Sequence, residues 1–118
     1  MQAPPALSGD LGAALAELIA ERFRVLGDPT RIRLLDALRE GPATVGELQQ
    51  AIGSSQQNVS KHLGVLLRGG LVRRHREANF ARYEIADETV FEMCEQVCGG
   101  MRRRLDDLEA VLESGAMS

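Results

Sequence analysis

The stretch from Ser54 to Arg76 constrains the fold of this chain more than any other part of it. It combines a capped amphipathic helix, a glycine pair that ends the helix, and the start of a basic strand. Apolar side chains recur at helical spacing along one side, at Val59, Leu63, Leu66 and Leu67. The opposite side carries amides, cations and one position without a side chain, at Gln57, Lys61, Gly64 and Arg68. Such groups suit contact with nucleic acid in a major groove, although a solvated helix face would also show them.

A second short helix is predicted immediately before this one. Thr44-x-x-Glu47 is a capping-box pattern, and Ser54-x-x-Gln57 repeats the pattern just after Gly53. The apolar residues of the first helix that we expect to face inward are Leu48, Ala51 and Ile52. Two short helices joined at Gly53-Ser54 have the spacing of a helix-turn-helix.

Two further helices are predicted upstream, separated at Gly27-Asp28-Pro29. Gly27 ends the first helix, Asp28 caps the second, and Pro29 occupies the first helical position, where its missing N–H does no harm. The first helix begins after Asp10, a plausible N-cap. The second ends at Gly41-Pro42 and is predicted to supply core residues at Ile32, Leu34, Leu35 and Leu38.

A β-hairpin is predicted after Gly69-Gly70, with strands over Leu71–Arg76 and Phe80–Ile85. Asn79, in the connecting turn, tolerates a positive φ better than most residues. The side chains expected to anchor the hairpin to the core are Leu71, Val72, Tyr83 and Ile85. The cations expected to project from it are Arg73, Arg74, Arg76 and Arg82.

The last helix is predicted to begin at Asp87 and to carry apolar residues for more than six turns. That length exceeds what a small domain needs to cover itself, so the surplus is predicted to form a dimer interface with the first helix. The residues expected in this interface are Leu11, Leu15, Leu18, Val97, Met101, Leu105 and Leu108. Gly99-Gly100 in mid-helix indicates either a break or, as we prefer, close approach of a neighbouring helix backbone.

The net charge of −3 conceals a basic segment. Residues 51–83 hold six cations against Glu77 alone, which is the distribution that one anionic partner on one face requires.

We expect a cytoplasmic protein without a membrane span, because a long apolar run, a signal-peptide pattern and a disulfide framework are all missing from the sequence. We expect that the protein is not an enzyme, since His62 and His75 have no nucleophile or carboxylate paired with them in a credible catalytic arrangement.

Helix, helix, helix-turn-helix and basic hairpin together make a winged helix-turn-helix, mainly α with a small β-hairpin. The predicted domain spans residues 10–113, between a loose arm over 1–9 and a tail over 114–118. The stretch F-R-V-L-G-D-P-T-R-I-R-L-L-D-A-L, followed by S-Q-Q-N-V-S-K-H-L-G-V-L-L-R-G-G-L-V, resembles the ArsR/SmtB family of bacterial repressors over about residues 11–112. The resemblance implies a homodimer, joined through its first and last helices, that binds a two-fold-related double-stranded DNA operator.

The resemblance also implies which residues contact DNA. The recognition helix is the second helix of the helix-turn-helix, and the wing is the basic hairpin. The residues implied on the recognition helix and its cap are Ser55, Gln56, Gln57, Asn58, Ser60, Lys61, His62 and Arg68. Those implied in the wing are Arg73, Arg74 and Arg76. Glutamine and asparagine suit adenine, lysine suits guanine or phosphate, and the wing cations would add salt-dependent affinity. Gly64 stands where many relatives place a cation.

Many members of this family release DNA when a metal binds, and here the sequence departs from the pattern. The helix after Pro42 has A-T-V-G-E-L where the family has a C-x-C motif. The last helix has Asp87-Glu88-Thr89 where the family has D-x-H, and Gly100 and Arg103 where it has a second histidine pair.

Cys94 and Cys98 remain as candidate sensor residues, four apart on the last helix. They are either buried small hydrophobes or a metal or redox site that both protomers share, with nickel or zinc as the candidate ions. The open alternatives for the whole chain are an effector-independent DNA-binding regulator and a winged-helix module that binds protein.

Overall fold

The structure, a computed structural model, describes residues 11–115. The predicted arm over 1–9, the proposed cap at Asp10 and residues 116–118 of the predicted tail lie outside the described residues. The helices are α1 (Ala13–Leu26), α2 (Pro29–Leu38), α3 (Val45–Ile52), α4 (Gln56–Arg68), α5 (Glu88–Cys94) and α6 (Gly100–Glu113). The strands are β1 (Ala43–Thr44), β2 (Val72–Glu77) and β3 (Phe80–Ile85).

Side-chain caps fix where several helices begin. Asp28 accepts hydrogen bonds from the backbone N–H groups of Thr30 and Arg31, and Pro29 opens α2 as predicted. The capping box at the start of α3 is complete, because Thr44 and Glu47 each accept a hydrogen bond from the other's backbone N–H. These contacts satisfy donors that the first helical turn leaves free.

The predicted cap of α4 is one residue too early. Ser55 accepts the hydrogen bond from the Asn58 N–H, and Ser54 instead accepts one from the Asn58 side chain. Gly53 adopts the left-handed conformation at φ 66°, so the turn between α3 and α4 holds three residues, Gly53 to Ser55. The two helices remain a helix-turn-helix.

The hairpin joins a third strand that the sequence analysis missed. The antiparallel sheet has the order β1-β3-β2, with Ala43 opposite Tyr83 and Val72 opposite Ile85. Two residues connect β2 to β3, and the positive φ belongs to Ala78, at 51°, instead of to Asn79 as predicted. β1 was missed because it is two residues long and flanks a helix cap.

The core lies where α2, α3, α4, α5 and the base of the hairpin meet. The predicted residues Leu34, Leu35 and Leu38 are buried, and so are Leu71, Val72 and Tyr83 at the hairpin base. Two of the side chains predicted to face the core do not. Ile32 is 42% exposed and Ala51 is exposed, because each lies at the edge of its helix's apolar side.

The last helix is continuous through the glycine pair and changes its winding there. Asp87 caps α5 as predicted, and residues Glu95–Gly99 form a π-helical segment between α5 and α6. The helix break considered for Gly99-Gly100 is therefore absent from the described chain. Arg39, at the C-cap of α2, pairs with Glu95 in the π-helical segment, and Asp36 of α2 pairs with Arg102 of α6 at 2.9 Å.

Among the described residues, no helix is long and apolar enough to cross a membrane.

Candidate nucleic-acid interface

Helix α4 separates its residues into a buried side and an exposed side. Val59, Leu63 and Leu66 are fully buried in the core. The predicted DNA-contacting residues that are exposed on α4 are Gln56, Gln57, Ser60, Lys61 and Arg68. The packed side therefore fixes the helix while its amide, hydroxyl and ammonium groups stay available, as major-groove contact requires.

Arg68 occupies the space beside Gly64. A methyl group at Gly64 would lie 3.3 Å from Nη1 of Arg68, so the guanidinium folds back over the glycine by one helical turn. The sequence analysis noted that relatives place a cation at the position of Gly64. In this structure Arg68 brings a cation to the same part of the exposed side.

The start of α4 is held by side-chain hydrogen bonds. The Ser55 hydroxyl accepts from the Asn58 N–H at 3.1 Å, and Asn58 Nδ2 donates to the Ser54 hydroxyl at 2.8 Å. Asn58 is half-buried and already uses one of its amide donors in the turn. The second N–H donor and the carbonyl of this amide remain for the predicted contact with adenine.

The wing divides its arginines between two faces because side chains alternate along β2 and β3. Arg73 and His75 share one face with Glu84, whose carboxylate accepts from Arg73 Nε at 2.7 Å and lies 2.6 Å from His75 Nε2. Hydrogen bonds from Arg73 and then His75 hold the pKa of Glu84 below its usual value. Arg73 therefore has a carboxylate partner within the sheet.

Arg82 likewise has acidic partners, at 3.5 Å from Glu47 and 3.7 Å from Glu77. Arg74 and Arg76 differ from it, because both are exposed and no ion pair joins either of them to a carboxylate in the part of the chain described. The structure thus singles out Arg74 and Arg76 among the wing cations for contact with an external anion.

His62 does not belong to the exposed side, and its predicted position facing the bases is wrong. Its side chain is 8% exposed, and Nδ1 lies 3.1 Å from Nη1 of Arg31. Position 62 lies beside the buried Leu63 and one helical turn before the buried Leu66, so its side chain points toward the core. Arg31 was missed altogether, since a cation on α2 gives no sign in the sequence of its partner on α4.

The two cysteines line an apolar pocket of about 260 Å³ between α1, α2 and the last helix. Burial, reinforced by the neighbouring Cys98, raises the pKa of the Cys94 thiol to about 11, and burial also raises the pKa of Cys98. Both thiols are therefore protonated at neutral pH. No group of three or more His, Cys, Asp or Glu side chains within residues 11–115 is placed to hold a metal ion. One protomer therefore does not complete a four-ligand site.

The residues predicted for the dimer interface form exposed apolar stripes on α1 and on the last helix. Their exposed fractions run from 46% to 69%, at Leu11, Leu15, Leu18, Val97, Met101, Leu105 and Leu108. Stripes of this extent mark surfaces that associate with another apolar surface.

Several known proteins are similar to this chain in sequence. Residues 26–75 match the family of helix-turn-helix domains. An uncharacterised helix-turn-helix transcriptional regulator of Mycobacterium tuberculosis is 40% identical over 100 residues, which cover 84% of this chain and 88% of the relative. A probable mercury resistance operon repressor of Streptomyces lividans is 36% identical and matches 75% of each chain.

A solved structure shows the same architecture. The homodimeric winged helix-turn-helix domain from Mycobacterium bovis, described as a possible ArsR-family regulator, superposes with a TM-score of 0.73 at 30% identity. The match covers 86% of this chain and 94% of that domain. These relatives are transcriptional regulators, which favours DNA binding over the protein-binding alternative.

Proposed function

The chain belongs to the ArsR/SmtB family of DNA-binding winged helix-turn-helix repressors, and we propose that it binds a palindromic operator as a homodimer. In this proposal the exposed side of α4 contacts bases, chiefly through Gln57 and Lys61. Arg74 and Arg76 of the wing contact the phosphate backbone or the minor groove.

One observation supports the assignment of DNA contact to these residues. The exposed amides and ammonium of α4 and the unpaired guanidinium groups of β2 lie on consecutive elements joined by a short turn. The N–H of Leu71 in that turn donates to the Leu66 carbonyl at 2.9 Å, which fixes the wing against the end of α4. This arrangement suits DNA binding in which the recognition helix enters a groove of the DNA and the cationic wing contacts the adjacent DNA backbone.

The proposal is tested by titrating a fragment of the gene's own promoter, with fluorescence anisotropy at several salt concentrations. We expect affinity to fall steeply between 50 and 200 mM salt, because each phosphate contact releases counterions. The double substitution Lys61→Ala/Arg74→Ala should weaken binding and reduce the salt slope by about 1, through the loss of the phosphate contact of Arg74. The matched control, Arg103→Ala/Arg104→Ala on α6, removes the same charge from exposed positions elsewhere. Equal effects of the two double variants would contradict the assignment.

Homodimerisation is proposed from the exposed stripes of α1 and α6 and from the homodimeric relative. A two-fold dimer would present two α4 helices to half-sites about one helical turn of DNA apart. Footprinting should then show two protected half-sites related by inverted symmetry. A single protected half-site would argue against the dimer.

We propose further that DNA binding is regulated at Cys94 and Cys98, either by thiol oxidation or by a thiophilic metal ion such as zinc or nickel. Support comes from the relative named for mercury resistance and from the position of both thiols at one pocket wall. Metal binding would require both protomers, since one offers two sulfurs.

The test compares wild type with Cys94→Ser/Cys98→Ser after anaerobic purification. Metal content, and DNA release on adding zinc, nickel or an oxidant, should be lost together in the variant. Because the thiols begin protonated and must lose their protons to bind a metal, metal affinity should rise with pH. If the two proteins respond equally, the cysteines serve only as packing residues.

A further inference from the structure

His62 is the polar side chain that the core encloses within the described chain. Burying an imidazole costs free energy unless its nitrogens find partners. Its Nδ1 lies 3.1 Å from Arg31 Nη1 and 3.6 Å from an oxygen of Asp28. The DNA-reading side of α4 makes no use of this ring, so its burial calls for a separate explanation.

Arg31 connects three helices through one guanidinium group. Its Nε donates to the Val25 carbonyl at 2.5 Å and Nη2 donates to the Arg24 carbonyl at 3.4 Å, both in the last turn of α1. A cation at a helix C-terminus is favoured by the helix dipole and satisfies carbonyls that lack helical partners. The remaining nitrogen, Nη1, faces His62 on α4.

The direction of this hydrogen bond is set by chemistry. A guanidinium group can only donate, so Nδ1 of His62 must accept and the ring proton must sit on Nε2. The surrounding contacts of α4, through Val59, Leu63 and Leu66, are apolar and non-directional. A directional bond from Arg31 of α2, whose guanidinium also donates to the end of α1, therefore restrains the rotation of α4 about its own axis.

We propose that Arg31 and His62 are positioning residues that hold the recognition helix at a fixed orientation relative to α1. The inference rests on the proposed DNA-reading role of α4. Since α1 carries the stripe proposed for dimerisation, the same contact would relate the orientation of each α4 to the two-fold axis. Neither residue touches DNA in this proposal.

The experiment separates orientation from folding by measuring two affinities. Full-length variants are titrated with the promoter fragment that wild type selects, and with a scrambled fragment of equal length and composition. A misdirected α4 should lose specific affinity and keep the electrostatic, sequence-independent affinity. A general loss of structure would lower both, and thermal melting of each variant monitors folding.

His62→Leu, which keeps an apolar side chain but removes the acceptor, should reduce specific affinity about tenfold, the effect of losing one base contact. Non-specific affinity should stay within about twofold. His62→Asn offers Oδ1 near the position of Nδ1 and should restore most of the specificity. A His62→Leu variant with wild-type specificity, or a His62→Asn variant as poor as His62→Leu, overturns the inference.

Arg31→Met removes the donors and keeps the apolar stem, and it should reproduce the loss seen in His62→Leu. The double variant should be no worse than Arg31→Met alone, because both substitutions remove the hydrogen bond between Arg31 and His62. Additive losses would overturn the inference. If wild type itself fails to distinguish the promoter from the scrambled fragment, it is the proposed function that fails instead.

Discussion

Ala78 carries the left-handed backbone of the tip between β2 and β3, with φ at 51°. A Cβ atom in that region costs roughly 1–2 kcal/mol, because it crowds the following carbonyl oxygen. Asn79, the residue whose side chain tolerates such a backbone, is the second residue of the loop, while the positive φ belongs to the first. Residue preference alone could not place the strain, since the register of the strands decides which loop position receives it.

Ala78→Gly is therefore expected to stabilise the protein, by about 0.5–1 kcal/mol after the greater unfolded-state entropy of glycine is subtracted. Chemical denaturation measures the change. Ala81→Gly, the same substitution at an extended position of β3, should instead destabilise by about 1 kcal/mol. A loss of stability in Ala78→Gly would show that the tip is not strained.

Asp28 stabilises the start of α2, and its contribution depends on pH. Burial raises its pKa, but hydrogen bonds from the Arg31 and Thr30 N–H groups and the nearby charge of Arg31 outweigh this and lower it below 3.8. A lowered pKa in the folded state means that the stabilisation is present above pH 3.8 and is lost as pH falls through the folded-state value.

Asp28→Ala should thus lower stability by about 1 kcal/mol at pH 7. The difference from wild type should shrink as pH falls below 3.8 and the carboxylate is protonated in the folded state. Denaturant melts at pH 7, 5 and 3 measure it. Asp106→Ala, an exposed site on α6, provides the control. A difference that stays constant with pH would mean that the charge of Asp28 contributes nothing.

At the scale of elements, the wing shows that the cations of a basic segment are not all free to contact an external anion. Arg73 and Arg74 are adjacent in sequence, yet strand alternation turns one toward Glu84 and leaves the other exposed without a described carboxylate partner. The sequence identified the cations and the two strands. Their division between faces depended on the register of Arg73 opposite Glu84, which strand pairing decides.

Arg74→Ala/Arg76→Ala is accordingly expected to weaken promoter binding and to lower the salt slope by about 2. Arg73→Ala/Arg82→Ala removes the same charge from residues already paired with carboxylates and should change the slope less. The salt dependence of anisotropy titrations gives both values. If the paired arginines have the larger effect, the ion pairs must open when DNA binds.

At the scale of the whole molecule, the chain is more extended than a compact domain of its length. Its radius of gyration is 18.6 Å, against roughly 13–14 Å for a compact domain of this length. None of the residues of α6 is buried. Val90 and Cys94 anchor the last helix in the core, and ion pairs from Arg39 to the π-helical segment and from Asp36 to α6 add to this. The proposed dimer would cover the exposed apolar stripe of α6.

We expect a solution mass of twice 12.8 kDa by light scattering. Leu105→Glu/Leu108→Glu should yield monomers, because it buries two carboxylates in the proposed interface. Arg103→Glu, on the opposite side of α6, should leave the mass unchanged. A wild-type protein that stays monomeric at micromolar concentration would refute the interface.

The sequence by itself determined the local structure, because caps, glycine stops and apolar periodicity act within a few residues of each other. Asp28, the Thr44–Glu47 box and the apolar stripe of Val59, Leu63 and Leu66 all appear in the structure as predicted.

Only the tertiary structure decided which polar side chains are free. His62 meets Arg31, Arg73 meets Glu84, and Arg39 meets Glu95 across separations of 31, 11 and 56 residues. No local pattern encodes such pairs, since they depend on how the elements pack. The stretch from Ser54 to Arg76 could be recognised from sequence as a basic helix and strand, but the burial of His62 and the pairing of Arg73 could not.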